Sequence, residues 1–545
     1  MYIENKYYLL WLNSPRLSNE AKNYLTKMDI NQIESSFTGQ KMNFGTAGIR
    51  QEMGPGTNRM NSFTYQQMAE GYAKFILNRK PEGAVVLIAH DNRKNADMFS
   101  MVCAKVLTSF GIRVVMFKDN QMKATPIASY TIIRNEYDGG IIITASHNPK
   151  NYSGFKVYNN TGKQISTEEA DEIVSYMPEN EEILNLNYQP QNELISYLDE
   201  SIDDAYFYDA VECLINTDLE SKKYIPVVYT AHHGTASIDF KRFMESLNYV
   251  SIIPTKQQCV QDPNFSYSPI MNPEEPKSFE LAIKYAEKAK ANVIFGLDPD
   301  SDRLAVVVKH NNEWYFLSGN EMGIIYSYYV LKNKEFNRTP FIVSTYVSTF
   351  LIDKIAEAFN AKVYRTATGF KNIAEAINEH SPYEDFVVGF EEAIGSLNST
   401  ICRDKDGFQA AALALEIITH CNVKSMTLVD YLEQEIYPQF GYWSGGTVYY
   451  TFNSLNWRDE MNNKLRYLSS LKDIYINGFK LLSNTFNKEA SALEWEFENG
   501  VWIKFRISGT EPKFKAYFNV YGTDNVNSKE NLVEFKKAIN DLMRR

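Results

Sequence analysis

Along most of the chain, short runs of β-branched and aliphatic residues alternate with longer stretches whose apolar positions recur at helical spacing. From 44 to about 158 this predicts strands over 84–89, 113–117 and 140–144, with a helix over 95–110. The layout then returns twice. It gives strand 224–229, helix 237–247, strand 249–253, helix 278–289 and strand 293–295, then strand 341–343, helix 349–359 and strands 362–364 and 386–388. Such alternation implies mostly parallel sheets covered by helices. From about 437 the character changes: 447–450 and 502–506 read as strands and 533–543 as a closing helix. Residues 1–40 read as a polar helical extension, with Ser18 placed to cap a helix opening at Asn19. Polar stretches at 178–191 and 332–338 read as linkers or loops.

At 545 residues the chain is too long for one core and should divide into about three or four domains. A net charge of −11 argues against nucleic acid or an anionic membrane surface as partner, but a local basic pocket can still take phosphate. The five cysteines, Cys103, Cys213, Cys259, Cys402 and Cys421, lack Cys-x-x-Cys spacing, so neither a disulfide framework nor a zinc site is expected. The first residues show no secretory pattern, and no apolar run reaches the length of a membrane span. A cytoplasmic protein is expected.

Four stretches carry candidate chemistry. In the first, the apolar run Ile141-Ile142-Ile143-Thr144 stops at Ala145-Ser146-His147-Asn148-Pro149. Asn-Pro forces the chain out of the strand, so Ser146 stands where a strand ends, as active-site residues of open α/β sheets do. A serine is a nucleophile when a base activates it, and His147 is adjacent. Neighbours on an extended strand end point apart, which predicts poor hydrolase geometry, and the Gly-x-Ser-x-Gly elbow is missing. Lys156, in Gly154-Phe155-Lys156-Val157, can fold back as a proton carrier.

The second stretch is Asp298-Pro299-Asp300-Ser301-Asp302-Arg303, directly after an apolar strand. Its alternate carboxylates can converge on one hard cation. An EF-hand calcium loop would need Gly and Glu where this chain has Arg303 and Lys309, so Mg²⁺ is the better match. Arg303 adds a positive charge suited to phosphate. The third, Gly389-Phe390-Glu391-Glu392-Ala393-Ile394-Gly395, sets two carboxylates between glycines, either as a polar loop that binds sugar hydroxyls or as an acidic helix N-terminus. The fourth, Arg506-Ile507-Ser508-Gly509-Thr510-Glu511-Pro512-Lys513, can present hydroxyls and backbone N–H groups to an anion between two cations.

In this order the four stretches resemble the α-D-phosphohexomutase superfamily of phosphoglucomutases and phosphomannomutases. Further matches lie in Phe44-Gly45-Thr46-Ala47-Gly48-Ile49-Arg50, Asp91-Asn92-Arg93, His233-Gly234-Thr235 and Thr368-Gly369-Phe370-Lys371. The pattern looks most like the phosphopentomutase-like phosphoglucomutase branch. Ala393 stands where hexose-specific phosphoglucomutases typically carry Ser, and Ile507 where many relatives carry a small residue or Pro.

The resemblance implies three successive α/β domains with mixed sheets plus a smaller α+β C-terminal domain around a central cleft. The division would be a helical extension (1–40), a phosphoserine domain (41–205), a metal-binding domain (206–318), a sugar-binding domain (319–436) and a phosphate-binding domain (437–545). It implies that Ser146 carries the transferred phosphoryl group and that Asp298, Asp300 and Asp302, with a phosphoserine oxygen, hold Mg²⁺. Arg50 and Lys156, with His147, would assist catalysis. Arg303, Thr368, Gly369, Lys371, Glu391, Arg506, Ser508, Gly509, Thr510 and Lys513 would bind substrate.

The implied reaction moves a phosphoryl group between the 1 and 6 positions of glucose or mannose phosphates through a bisphosphate, with glucose 1,6-bisphosphate as activator. Phosphopentomutase activity on ribose or deoxyribose 1- and 5-phosphates, or synthesis of a hexose 1,6-bisphosphate, would use the same catalytic stretch. Outside the mutases, the missing elbow disfavours a serine hydrolase or phosphatase. The retained Ser146, aspartates and Arg506 disfavour a non-catalytic sugar-phosphate sensor.

Overall fold

The computed structural model describes residues 4–45, 47–216, 224–452, 454, 456–508 and 513–544. It divides into two compact units. The first is Met1–Glu212 with Lys223–Leu304 and Thr400–Gln409, and the second is Cys213–Lys222 with Ala305–Ser399 and Ala410–Arg545.

The first unit opens with three short helices, Lys6–Asn13, Asn19–Leu25 and Ile30–Ser36. Ser18 caps the second by accepting from the Ala21 N–H, as its position before Asn19 predicts. Tyr8, Trp11, Leu25, Ile33 and Phe37 close a small core with Ile183 and Leu184. The main sheet has six strands in the order Ile49–Glu52, Tyr152–Asn159, Gly139–Ile143, Val85–His90, Arg113–Phe117 and Ile195–Leu198. The last four run parallel, and Tyr152–Asn159 is antiparallel to both of its neighbours, so the sheet is mixed. Alternate residues Val86 and Ile88, Val114 and Met116, and Ile141 and Ile143 enter the core shared with helices Ser62–Arg79 and Ala96–Ser109. A second set of parallel strands, Val227–Thr230, Ile252–Pro254 and Val293–Leu297, carries helices Ala236–Ser246 and Glu280–Ala289.

The second unit contains, from Ala305 on, the hairpin of strands Leu304–His310 and Glu313–Phe316, and a four-stranded sheet. That sheet orders Lys362–Thr366, Pro340–Thr345, Asp385–Glu391 and Gly395–Leu397, with only the last pair antiparallel. Its C-terminal part is an antiparallel six-stranded sheet from Tyr442–Thr451 to Lys513–Gly522, with helices Trp457–Ser470 and Asn525–Arg544. Trp495, Phe497, Phe505, Phe514 and Phe535 dominate its core.

Three elements differ from the sequence pattern. The strand expected over 249–253 is confined to Ile252–Pro254, because Asn248 is left-handed and the Tyr249 N–H returns to the Met244 carbonyl, ending the preceding helix. Pro226 cannot donate to a ladder, and the strand expected over 224–229 begins at Val227. The closing helix starts at Asn525, well before 533. Asp524 caps it through the Asn527 N–H, and its polar first turns give little apolar signal.

Candidate active site

Ser146 lies three residues beyond the strand Gly139–Ile143, is 1% exposed, and has φ +51° in the left-handed region. Such a conformation is uncommon for a residue with a side chain and is concentrated at functional sites. The strand Tyr152–Asn159 presses close here: a Cβ on Gly154 would meet the Thr144 carbonyl at 2.2 Å, so only glycine fits. The Ser146 N–H donates to Thr144 Oγ1 at 2.8 Å, and that hydroxyl donates to Asp91 Oδ2 at 2.7 Å.

The Ser146 hydroxyl donates to Asp298 Oδ2 at 2.7 Å and lies 3.2 Å from His147 Nδ1. Adjacent serine and histidine side chains were expected to point apart. They meet because Ser146 is left-handed rather than extended, which removes the alternation of a strand. Burial, then the charges of Arg303 and Arg50, push the His147 pKa well below its ordinary value, so the ring is neutral at pH 7.

Asp298, Asp300 and Asp302 follow the strand Val293–Leu297, are each at most 1% exposed, and bring carboxylate oxygens within 4.8 Å of one another. Ser301 between them is left-handed, and its N–H donates to the Asp298 carbonyl at 2.9 Å. Gly234 lets the loop before helix Ala236–Ser246 lie against Pro299, since a Cβ there would come within 2.3 Å of Pro299 Cα. Lys156 Nζ donates to Asp300 Oδ2 at 2.7 Å and to Asp302 Oδ2 at 3.3 Å. Thr125 Oγ1 also reaches Asp300 Oδ2, at 3.2 Å. The Arg303 N–H donates to Asp298 Oδ1 at 3.0 Å, and its guanidinium lies 3.6 Å from Glu274. Arg50 donates to Asn148 Oδ1 at 2.9 Å, and its buried Nε has no hydrogen-bond partner among the described residues.

The Oδ1 atoms of Asp300 and Asp302 are likewise buried without a hydrogen-bond partner among the described residues. Buried carboxylate oxygens are costly to leave unsatisfied, and a cluster of hard oxygen donors suits a divalent cation such as Mg²⁺. The residues present therefore fit a metal. Burial raises the Asp298 pKa well above its usual range, with Asp302 and Asp300 adding to it. Burial opposes the Lys156 ammonium, but Asp300 and Asp302 outweigh it and keep its pKa above the ordinary value.

Sequence reasoning missed Lys405, whose Nζ sits 3.0 Å from Asp302 Oδ2 and 3.0 Å from Asp404 Oδ1. Asp404 in turn accepts from Tyr158 Oη at 2.6 Å and Gln164 Nε2 at 2.8 Å. The signal was present as Asp404-Lys405-Asp406, three charged residues just ahead of the apolar helix Gly407–Val423.

The remaining predicted residues lie in the second unit. Glu391 ends its strand and pairs with Gly395 across a tight turn that includes left-handed Ile394. The segment is a hairpin, not a helix N-terminus. A Cβ on Gly319 would meet the Glu392 carbonyl at 2.4 Å, and Thr345 Oγ1 donates to Glu392 Oε2 at 3.1 Å. Thr368 and Gly369 precede the helix Phe370–His380, with Gly369 at φ +107° and Lys371 in the first turn. Arg506 stands near the end of the strand Trp502–Ile507, paired with Lys515. The Ser508 N–H donates to the Lys513 carbonyl at 2.9 Å. Gly509 and Thr510, and Thr46 of the first glycine-rich stretch, lie outside the described residues.

Family models for phosphoglucomutase/phosphomannomutase α/β/α domains I, II and III match residues 41–184, 204–312 and 318–437. The chain belongs to this family. A phosphomannomutase of Mycoplasmoides pirum is 42% identical over 535 residues, covering 98% of each chain. A phosphoglucomutase of Staphylococcus haemolyticus is 31% identical over 500 residues, 88% of this chain and 90% of the relative. In fold, a putative phosphomannomutase from Thermus thermophilus gives a TM-score of 0.72 at 21% identity, covering 92% of this chain and all of that one. The family has three α/β/α domains, here followed by a β-rich C-terminal domain, and the protein is a phosphohexomutase, an intramolecular phosphotransferase acting on small sugar phosphates. Among the described residues, no helix is long and apolar enough to cross a membrane.

Proposed function

We propose that this phosphohexomutase moves a phosphoryl group between the 1 and 6 positions of glucose and/or mannose phosphates, through a phosphoserine at Ser146 and a hexose bisphosphate. One observation carries the reading: the buried Ser146 hydroxyl lies 2.7 Å from Asp298 at the edge of the three-aspartate cluster. Asp298, Asp300 and Asp302, with a phosphoryl oxygen on Ser146, would hold Mg²⁺. When bound, the cation offsets negative charge on the phosphoryl group.

In the forward half-reaction a sugar hydroxyl oxygen bonds to phosphorus as the bond from phosphorus to Ser146 Oγ breaks. The sugar hydroxyl loses a proton and Oγ gains one. His147 Nδ1 lies 3.2 Å from Oγ and would relay that proton, the phosphoryl group on Ser146 offsetting the Arg303 and Arg50 charges that otherwise oppose protonation of the ring. Lys156 keeps its proton and, with Arg50, neutralises charge. Glu391 would accept from sugar hydroxyls. Arg506, Ser508, Gly509, Thr510 and Lys513 would take the phosphate that does not react, and Arg303, Thr368, Gly369 and Lys371 would contact the remainder of the substrate. Glucose 1,6-bisphosphate would act by phosphorylating Ser146. The domains would divide at about 40, 205, 318 and 436. Relatives named as phosphomannomutases and phosphoglucomutases favour hexoses and lend the pentose alternative no support.

The test is phosphorus NMR of the protein with Mg²⁺, a trace of glucose 1,6-bisphosphate, and the 1-phosphates of glucose, mannose, ribose and deoxyribose in parallel. Faster isomerisation of a hexose is expected. Faster pentose turnover would overturn the substrate, and Ser146→Ala turning over near the wild-type rate would overturn the phosphoserine.

A further inference from the structure

We infer that Arg93 is a positioning residue for the nucleophile. With Asp91 and Thr144 it locks the loop that carries Ser146 into the conformation that aims Oγ at the aspartate cluster. The inference rests on the reading of Ser146 as the phosphoryl carrier, and it assigns a role to residues outside the metal- and substrate-binding sets proposed above.

Arg93 is 2% exposed, yet all five guanidinium donors are used. Nη2 donates to the carbonyls of Ser146 at 2.6 Å and Asn148 at 2.5 Å, and Nη1 to those of Pro149 at 2.8 Å and Tyr152 at 2.9 Å. Nε donates to Asp91 Oδ2 at 3.1 Å, and the Arg93 N–H donates to Asp91 Oδ1 at 2.9 Å. The ring of Phe265 covers the guanidinium, 5.7 Å from its carbon. Asp91 is also fixed through its backbone, its N–H donating to the Ile143 carbonyl at 3.0 Å.

Two consequences follow from this saturation. The backbone of Ser146 is held from both sides: its carbonyl by Arg93, and its N–H by Thr144, whose hydroxyl ends on the Asp91 oxygen that Arg93 also occupies. A left-handed serine can otherwise relax to an extended conformation, which would turn Oγ away from Asp298. In addition, the negative ends of four carbonyl dipoles terminate on one cation beside a serine that is to carry a phosphate of charge near −2. A lysine cannot replace this arrangement, because an ammonium has three donors and no planar fork.

The test compares Arg93→Lys, Thr144→Val and Ser146→Ala in the full chain, with glucose 1-phosphate and mannose 1-phosphate as probes, Mg²⁺, and a trace of glucose 1,6-bisphosphate. Thermal unfolding is followed for each. For Arg93→Lys, kcat should fall about 100-fold, the scale expected for a reacting atom misplaced by about 1 Å, while KM stays within about twofold. Thr144→Val should lower kcat about 10-fold with the same KM pattern, and it decides the matter if Arg93→Lys does not fold. A purely structural role would lower the unfolding temperature and leave kcat of the folded enzyme intact. That result, or KM rising in step with the loss of kcat, overturns the inference. Ser146→Ala separates the two failures. If it is inactive while both other variants keep wild-type kcat, the positioning role alone is wrong. If it turns over normally, the phosphoserine reading is wrong.

Discussion

The serine and aspartate region of the first unit and the candidate binding residues of the second are built on opposite terms. Ser146, Lys156, Asp298, Asp300 and Asp302 are each at most 1% exposed, and buried ion pairs and hydrogen bonds hold them from several directions. Thr368, Lys371, Arg506, Ser508 and Lys513 are only half-buried, on loops or at strand and helix ends. Buried charges must be paired, so they hold their geometry in advance of the reaction, which is what stabilisation of a transition state requires. Groups open to solvent can take either end of a bisphosphate at little cost in reorganisation. The contrast fits the reaction proposed above, in which the chemistry would stay at Ser146 while the bisphosphate turns over.

The largest effect should come from Ser146→Ala, with turnover lost by about 10⁴-fold or more and the fold retained, as phosphorus NMR and circular dichroism would read. Next, Asp300→Asn should lower kcat by about 10²–10³-fold and reduce Mg²⁺ retained after dialysis, measured by elemental analysis. A variant that keeps both would break the idea that the buried oxygens await a cation. On the other side of the comparison, Arg506→Met should raise KM about tenfold and change kcat much less, since one half-buried strand-end charge proposed to meet the phosphate is lost. Steady-state kinetics with glucose 1-phosphate and mannose 1-phosphate separates the two patterns, and a fall in kcat alone would erase the distinction between regions. Gly154→Ala should destabilise by about 1–3 kcal/mol in a urea titration, because its Cβ would meet the Thr144 carbonyl. The smallest effect is expected from Ala393→Ser, a change of a few-fold in the ratio of kcat/KM for glucose and mannose phosphates, corresponding to one hydroxyl worth about 1 kcal/mol.

Much of the site was legible because its parts are local. An apolar strand that stops at Ala145-Ser146 and a loop of alternating aspartates each announce themselves within ten residues. The strands were legible for the same reason, since β-branched runs bounded by turns need no distant partner to be recognised. The misreadings came where distant or conformational factors intervene. Tyr249 looks like a strand residue but closes a helix end, and His147 meets Ser146 only because the serine is left-handed. Arg93 belonged to a recognised short match, yet nothing in Asp91-Asn92-Arg93 indicates that its guanidinium ends on carbonyls more than fifty residues away.

The sequence by itself determined the class of this protein. It set a candidate nucleophile, a candidate hard-cation cluster, a pair of carboxylates between glycines and a candidate anion loop in a fixed order, because residue type and spacing set which chemistry a strand end can carry. Only the tertiary structure decided how those groups are held. Lys405 against Asp302, the shared Asp91 oxygen, and the five saturated donors of Arg93 join residues far apart in the chain. Burial is what makes those contacts matter: once water is excluded, every charged or polar group needs a partner, and the partner is chosen by packing rather than by neighbours in sequence.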